Sequence, residues 1–413
     1  MPGKILVDIT PLRESRDFRL LFTGQLISML GTQLTVVAIP YQVYRLTHST
    51  LQVGAISLAQ LFPFLVGALL AGPLGDSSDR RRIMIWTAGA SALTSAAMAF
   101  NAGLTHPSLV LLYVVSALAA GFTGFSSTAR MASVPGLVQR RHLSAAAALM
   151  QIIFQVGTVV GPAVSGLLLG IGLRLVYGID AVTFVVALIA TMLMVPIPPA
   201  EGPHLKVWAS TKEGLRYLKS RQALQGVYII DINAMVFGMP RALFPAMAGA
   251  VFGGGTITLG FLYAAPGVGA LIGAVTTGWV THIKRQGRAV ILAVLAWGVA
   301  ITVFGLVHTV WLALLMLAIA GWSDVISAVL RNTILQTTIP ERFRSRMSSI
   351  QMAVVQGGPR LGDMESGAVA AATSIEFSVV SGGLACLAGA IAIGLLMPHF
   401  RHHVADEIDE VPV

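Results

Sequence analysis

Runs of predominantly apolar residues, each about 20 long, follow one another along the whole chain with only short polar breaks between them. At 1.5 Å rise per residue, a helix of that length spans the roughly 30 Å hydrocarbon core of a bilayer. Twelve spans are predicted, at approximately 20–43, 51–75, 83–103, 108–129, 144–170, 173–195, 225–248, 256–280, 288–306, 309–330, 347–372 and 376–397. The first run is too long for a signal peptide and no small-residue cleavage site follows it, so it is expected to remain a span.

The longest polar stretch divides the chain into an amino-terminal six-helix bundle (1–195), a cytoplasmic linker (196–224), a carboxy-terminal six-helix bundle (225–398) and a cytoplasmic tail (399–413). From Trp208 to Arg221 the linker mixes apolar and basic residues at helical spacing, which predicts a short helix on the inner membrane surface or a partner-binding segment. The halves also repeat. A displacement of 201 residues sets Arg130 on Arg331, Arg141 on Arg342, Ser144 on Ser345, Gln155 on Gln356, Gly157 on Gly358, Gly161 on Gly362, Ser165 on Ser366 and Gly166 on Gly367, without a gap. The expected fold is an all-α membrane protein of two pseudo-symmetric six-helix bundles, the build of an alternating-access transporter with its substrate site at the midplane.

Composition agrees. Hydrophobic residues make up 55% of the chain and charged residues 11%, far from the roughly 25% of soluble domains. The lone Cys386 excludes an intrachain disulfide. With both termini placed in the cytoplasm, all of the 27 Lys and Arg except Arg45, Arg174, Arg241 and Arg360 fall on the inner side. That is the positive-inside pattern, so the net charge of +9 reflects membrane orientation and calls for no nucleic-acid partner. All nine histidines lie in loops, span ends or the tail, which leaves intramembrane metal chemistry without ligands. No phosphate-cradling GxxxxGK[ST] occurs, so nucleotide hydrolysis within the chain is not expected, and no cofactor is assigned. The acidic end "ADEIDEVPV" is short for a signalling domain, which weighs against a non-transporting receptor.

Between the second and third spans stands "GPLGDSSDRRRIM" (72–84). It resembles the loop signature of the major facilitator superfamily, with Gly72, Leu74, Asp76, Arg80 and Arg81 at matching positions, although Ser77 and Asp79 depart from it. The resemblance implies an inner gate of Gly72, Asp76, Arg80, Arg81 and Arg82 with Arg130 and Arg331, the arginines binding carboxylates and Asp76 accepting hydrogen bonds. A positive-inside anchor is the simpler alternative. "GTVVGPAVSG" in the fifth span resembles the signature of the antiporter branch, through Gly157, Gly161, Pro162 and Gly166, and implies export; on residues alone it is a small-residue packing face with a bend. "RDFRLLFTGQLIS", "AIPYQVYRLTHSTLQVG", "GFLYAAPGVGALIGA" and "LQTTIPERFRSRMSSI" resemble the bacterial enterobactin-exporter group of that superfamily. Such a transporter belongs in the bacterial cytoplasmic membrane, works as a monomer and exports a siderophore or an amphiphilic, drug-like molecule against a proton gradient. Uptake of a small nutrient is the alternative.

Buried ionisable residues are the candidates for coupling, because a carboxylate at the centre of a span costs about 2.5–3.5 kcal/mol on insertion scales. Asp231 and Asp324 lie about 8 and 10 Å from the inner ends of the seventh and tenth spans. The superfamily resemblance places those spans around the cavity, and both acids are assigned as proton carriers; an interhelical hydrogen bond is the alternative. Arg241, Arg360 and Asp363 share a depth further out, with Glu365 nearby, and are expected to pair or to form an outer gate. The amino-terminal half offers polarity without acid. Gln25, Ser28, Thr32 and Thr35 on the first span, with Ser116, Thr123 and Ser127 on the fourth, form polar stripes expected to line the substrate cavity or to glue helices.

Overall fold

The computed structural model describes residues 8–77, 79–197, 213–214 and 216–404; side chains at 72–77, 281, 342, 344, 345 and 349 lie outside that description. Among the described residues twelve long helices follow one another: α1 Arg16–Thr47, α2 Thr50–Ser77, α3 Arg80–Ala102, α4 Leu109–Leu137, α5 Leu143–Leu169, α6 Leu173–Met192, α7 Gln222–Phe237, α8 Gly255–Thr276, α9 Gln286–Leu306, α10 Val310–Thr338, α11 Glu341–Ala372 and α12 Ile375–Leu396. Strands are absent among the described residues. Eleven helical segments there are long and apolar enough to cross a membrane. The remaining helix, α11, has the length at 32 residues, but Glu341, Arg346, Arg360, Asp363 and Glu365 make it too polar to pass on composition.

Side chains start several of these helices. Asp79 caps α3 by accepting the Arg81 N–H at 2.9 Å, and Ser108 and Ser374 do the same for α4 and α12. Trp86, Leu93 and Phe100, spaced by seven, expose one apolar stripe of α3, as a lipid-facing helix surface requires.

The seventh span, expected to be continuous over 225–248, is broken. Helix α7 stops at Phe237, and the chain resumes as a short helix, Phe244–Ala250. Pro240 lacks an N–H and disfavours helical geometry in the residue before it. The freed backbone groups find partners: Trp297 donates from Nε1 to the Gly238 carbonyl at 2.9 Å, and Asp363 accepts the Ala242 N–H at 3.1 Å.

The chain forms two compact units, Met1–Leu46 with Ala59–His204, and Thr47–Leu58 with Leu205–Val413. In the first, α3 packs against α6 and α4. In the second, α9 packs against α12 and α10, and α7 against α11. The first turns of α2 group with the second unit, where the Thr50 hydroxyl donates to the Gly367 carbonyl at 3.0 Å.

The internal repeat has a physical content. Gly161 of α5 lies bare against Gln33 of α1, and its repeat partner Gly362 of α11 lies bare against the Met235 carbonyl of α7. One turn earlier Gly157 and Gly358 each face a methionine, Met29 and Met235. Lipid is as apolar as leucine, so helices in a membrane associate through close backbone approach, and these glycines permit it at the same place in each unit. Pro162 and Gly166 are buried on α5 beside them.

The linker helix falls partly outside the described residues. Residues 213–214 and 216–219 are helical and rest on the start of α11: Tyr217 stacks on Phe343 with ring centroids 4.4 Å apart, and Glu213 pairs with Arg346 at 2.7 Å. The expected surface helix is therefore tied to its own unit.

Candidate functional site

Two charged helices build the site of the second unit. Asp231 lies on α7 within a run otherwise free of charge, and Asp324, Ser327 and Arg331 lie on α10 at spacings of three and four, which brings them to one face. Arg331 reaches all three. Its Nη1 is 2.9 Å from Asp231 Oδ1 and donates to Ser327 Oγ at 3.0 Å, and its Nη2 is 3.7 Å from Asp324 Oδ1. The Arg331 and Asp231 side chains are each 7% exposed, whereas that of Asp324 is 41% exposed. One cation thus stands between two acids, one in a close buried pair and the other more distant and more exposed.

The sequence placed Asp231 and Asp324 at similar depth, and the structure brings them together. Arg331, assigned to an inner gate, is instead the centre of this cluster.

The first unit carries the repeat-equivalent positions with different chemistry. Thr123, Ser126 and Arg130 of α4 correspond, at the same displacement of 201, to Asp324, Ser327 and Arg331. Arg130 donates to Ser126 at 2.6 Å, as Arg331 does to Ser327. All three line a cavity of about 90 Å³ with Gln25, Ser28 and Thr32 of α1, Ser91 of α3, and Phe184 and Thr191 of α6.

From the stripes expected to line the substrate cavity, Gln25, Ser28, Thr32 and Thr123 line this small cavity inside the first unit, and Arg130, assigned to the inner gate, joins them. Thr35, Ser116 and Ser127 are not in its lining. Ser127 donates to its own helix at Gly124, Ser116 is buried and donates to the Tyr113 carbonyl, and Thr35 bonds a carboxylate. That carboxylate, Asp180 of α6, corrects the expectation that this half is polar without acid. It is 2% exposed and accepts from Thr35 Oγ1 at 2.8 Å and Ser95 Oγ at 2.7 Å. The signal in the sequence is a lone aspartate eight residues into an apolar span.

The arginines after α2 also take other partners than expected. Arg80 donates to the Ala132 carbonyl, and Arg81 to the carbonyls of Thr191 and Met192 at the end of α6, where a cation meets the negative end of the helix dipole. Asp79 further accepts the Ile197 N–H at 2.9 Å. Within the first unit this block is an anchor that ties the ends of α4 and α6 to the start of α3. Arg82 is exposed, and the side chains of Gly72 and Asp76 lie outside the described residues.

Further out in the second unit, Asp363 lies within electrostatic reach of Arg241 and Arg360, and its carboxylate takes the Ala242 N–H. Arg360 donates to the Gln356 carbonyl at 2.8 Å, and Tyr263 donates to the Arg241 carbonyl at 3.0 Å. Asp363 therefore holds the broken part of the seventh span in place. Glu365 is half-buried on the same helix.

Comparison with known proteins sets this arrangement in context. Residues 7–412 match the family described as transmembrane secretion effector. The chain is 29% identical over 398 residues to the enterobactin exporter EntS of Escherichia coli (strain K12), covering 96% of this chain and 95% of that one. It is 30% identical over 398 residues to the enterobactin exporter EntS of Shigella dysenteriae serotype 1 (strain Sd197), with the same coverage. Among solved structures, a mutant of the nucleoside transporter NupG superposes with a TM-score of 0.77 at 12% identity, covering 92% of this chain and 100% of that one. A POT family transporter in complex with 5-aminolevulinic acid superposes with a TM-score of 0.75 at 11% identity, covering 94% and 97%. These structural likenesses establish the fold.

Proposed function

This chain belongs to the transmembrane secretion effector family of major facilitator transporters, and from that premise we propose that it is a proton-coupled exporter of a siderophore or an amphiphilic, drug-like molecule. The observation that carries the coupling is the cluster of Asp231, Arg331 and Asp324. One guanidinium facing two carboxylates is electrically neutral only with one proton bound, and charge imbalance is costly where water is scarce. Asp231 keeps the tight pair, so Asp324, the more exposed and more distant acid, carries the exchanging proton. Its release leaves Arg331 shared between two ionised acids and shifts the balance between conformations, as alternating access requires.

Export rather than uptake is supported by the relatives, named as exporters of enterobactin, and by the face of Gly157, Gly161, Pro162 and Gly166. Proton exchange is energetically sufficient: one proton crossing about 150 mV supplies roughly 3.5 kcal/mol, enough for about a 300-fold gradient of a neutral substrate. The basic residues on one side of the predicted spans support a cytoplasmic-membrane protein with both termini inside.

An untargeted comparison of metabolites inside and outside cells with and without the gene, under scarce and ample iron, tests the substrate class. An iron chelator retained inside the deletion strain is the expected result; a nutrient depleted inside it would replace export by uptake.

A further inference from the structure

The coupling cluster of the second unit leaves one deeply buried acid unused. Asp180 of α6 is buried against α1 and α3, and its setting differs in kind from that of Asp231. Among the described residues no cation answers it. Across the facing stretches, α1 carries no charged side chain between Leu20 and Tyr44, α3 none from Ile83 to Ala102, and α5 none at all. On α6 itself the nearest charge is Arg174, six residues away and about 9 Å along the axis, with its side chain against Gly103 at the end of α3. Among the described residues its titratable neighbour is Tyr177, whose hydroxyl donates to Gln42 Oε1 at 2.8 Å.

Asp180 Oδ2 takes both hydroxyl bonds, from Thr35 and Ser95. The Thr183 hydroxyl sits beside Asp180 and donates to its backbone carbonyl at 2.7 Å, so that in this geometry Oδ1, against the bare backbone of Gly31, receives no hydrogen bond. An isolated buried carboxylate with one oxygen unsatisfied is among the costliest states a protein interior can hold. A proton on Oδ1 removes the charge and leaves both bonds to Oδ2 intact.

A polar cavity lies about one helical turn from the site. Thr32, Ser91 and Phe184 line the polar cavity of the first unit. Thr35 is three residues beyond Thr32, Ser95 four beyond Ser91, and Asp180 four before Phe184 on a helix running the other way. Each member of the site therefore lies about one helical turn past the cavity wall, all three displaced in the same direction.

We propose that Asp180, Thr35 and Ser95 form a second proton-binding site, inside the first unit and supplied through the polar cavity beside it. Its ligand is a single proton that binds and leaves in the working range of the protein, on a helix that bears no part of the Asp231, Arg331 and Asp324 cluster. The chain then holds one exchangeable proton in each unit.

The test counts protons directly and needs no transported substrate. Purified full-length protein in detergent is carried from about pH 5 to about pH 9 in unbuffered solution, and the protons released per chain are measured for the native chain and for Asp180→Asn. One proton fewer from the variant is the expected result. Equal release overturns the proposal, because Asp180 is then either always ionised or permanently protonated. In parallel, the infrared C=O band of protonated carboxyls is recorded for the native chain and for Ser95→Ala, which keeps the acid and loses one donor. A band that fades between about pH 5 and about pH 9 and is shifted in Ser95→Ala supports the site even if Asp180→Asn does not fold; a band that is unmoved, or that persists at about pH 9, contradicts it. Thermal stabilisation by sodium chloride over choline chloride in the native chain, absent in Ser95→Ala, would make the ligand a sodium ion and overturn the assignment. The count is independent of whether the second unit couples export to protons.

Discussion

Arg130 and Arg331, 201 residues apart, are each held by the serine one turn earlier on their own helix, Ser126 at 2.6 Å and Ser327 at 3.0 Å. The repeat has kept this scaffold and changed what surrounds it. Where Asp324 stands in the second unit, Thr123 stands in the first, and the arginine faces a small polar cavity rather than two acids. The units therefore differ in chemistry, the second holding an ion-pair cluster and the first a small polar cavity.

Removing the shared cation should be worse than removing one acid. Arg331→Met leaves Asp231 buried without a partner and is expected to lower stability by about 3–5 kcal/mol, as broken buried pairs do. Asp231→Asn leaves Arg331 with Asp324, one charge against one, and should fold nearly as well as the native chain. Joining the two substitutions should recover most of the loss. Thermal unfolding of the three purified variants decides this.

The glycine faces should differ in tolerance. A Cβ at Gly362 meets the Met235 carbonyl, which belongs to the backbone of α7 and cannot swing aside. A Cβ at Gly157 meets Met29 Cγ at 2.7 Å, part of a flexible side chain. Gly362→Ala is expected to cost about 1–3 kcal/mol and Gly157→Ala distinctly less, read as the shift in unfolding temperature.

An added acid tests the electrostatic difference between two neighbouring sites of the first unit. Thr123→Asp places a carboxylate in the cavity that Arg130 lines and should be tolerated, reproducing the arrangement of the other unit. Thr35→Asp puts a carboxylate against Asp180 with no cation near and should abolish recovery of folded protein. The yield of monodisperse protein by size-exclusion chromatography separates the two cases.

Asp79 is expected to be structural. It caps α3 and accepts the Ile197 N–H. Asp79→Ala should cost about 0.5–2 kcal/mol, the range for a lost helix cap, in thermal unfolding. Asp79→Asn, which keeps an accepting oxygen, should cost less.

Much of this was legible in the residues. Hydropathy and the 201-residue repeat carried the two-bundle fold, and the spacing from Gly157 to Gly166 carried the close-packed face, because both depend on residue type along one helix. Asp231 and Asp324 were found because a charge inside an apolar run stands out. Their meeting at Arg331 was not legible, since whether an arginine near a helix end turns inward depends on the neighbouring helix. Asp180 and Thr35 were missed as a pair for the same reason: their bond joins α1 to α6, 145 residues apart. The break after Phe237 had a local signal in Gly238 and Pro240, masked by the apolar residues on either side. Asp79 as a cap was hidden by the reading of its loop as a gate.

The most direct test of the central claim is gradient-driven transport in proteoliposomes of the native chain and Asp324→Asn, with enterobactin and, separately, ethidium as probes. An imposed pH gradient should drive accumulation of at least one probe by the native chain, collapse with a protonophore, and fail in Asp324→Asn, while exchange of that probe without a gradient persists in both. Accumulation by Asp324→Asn at the native rate, or no movement of either probe by the native chain, would contradict the account.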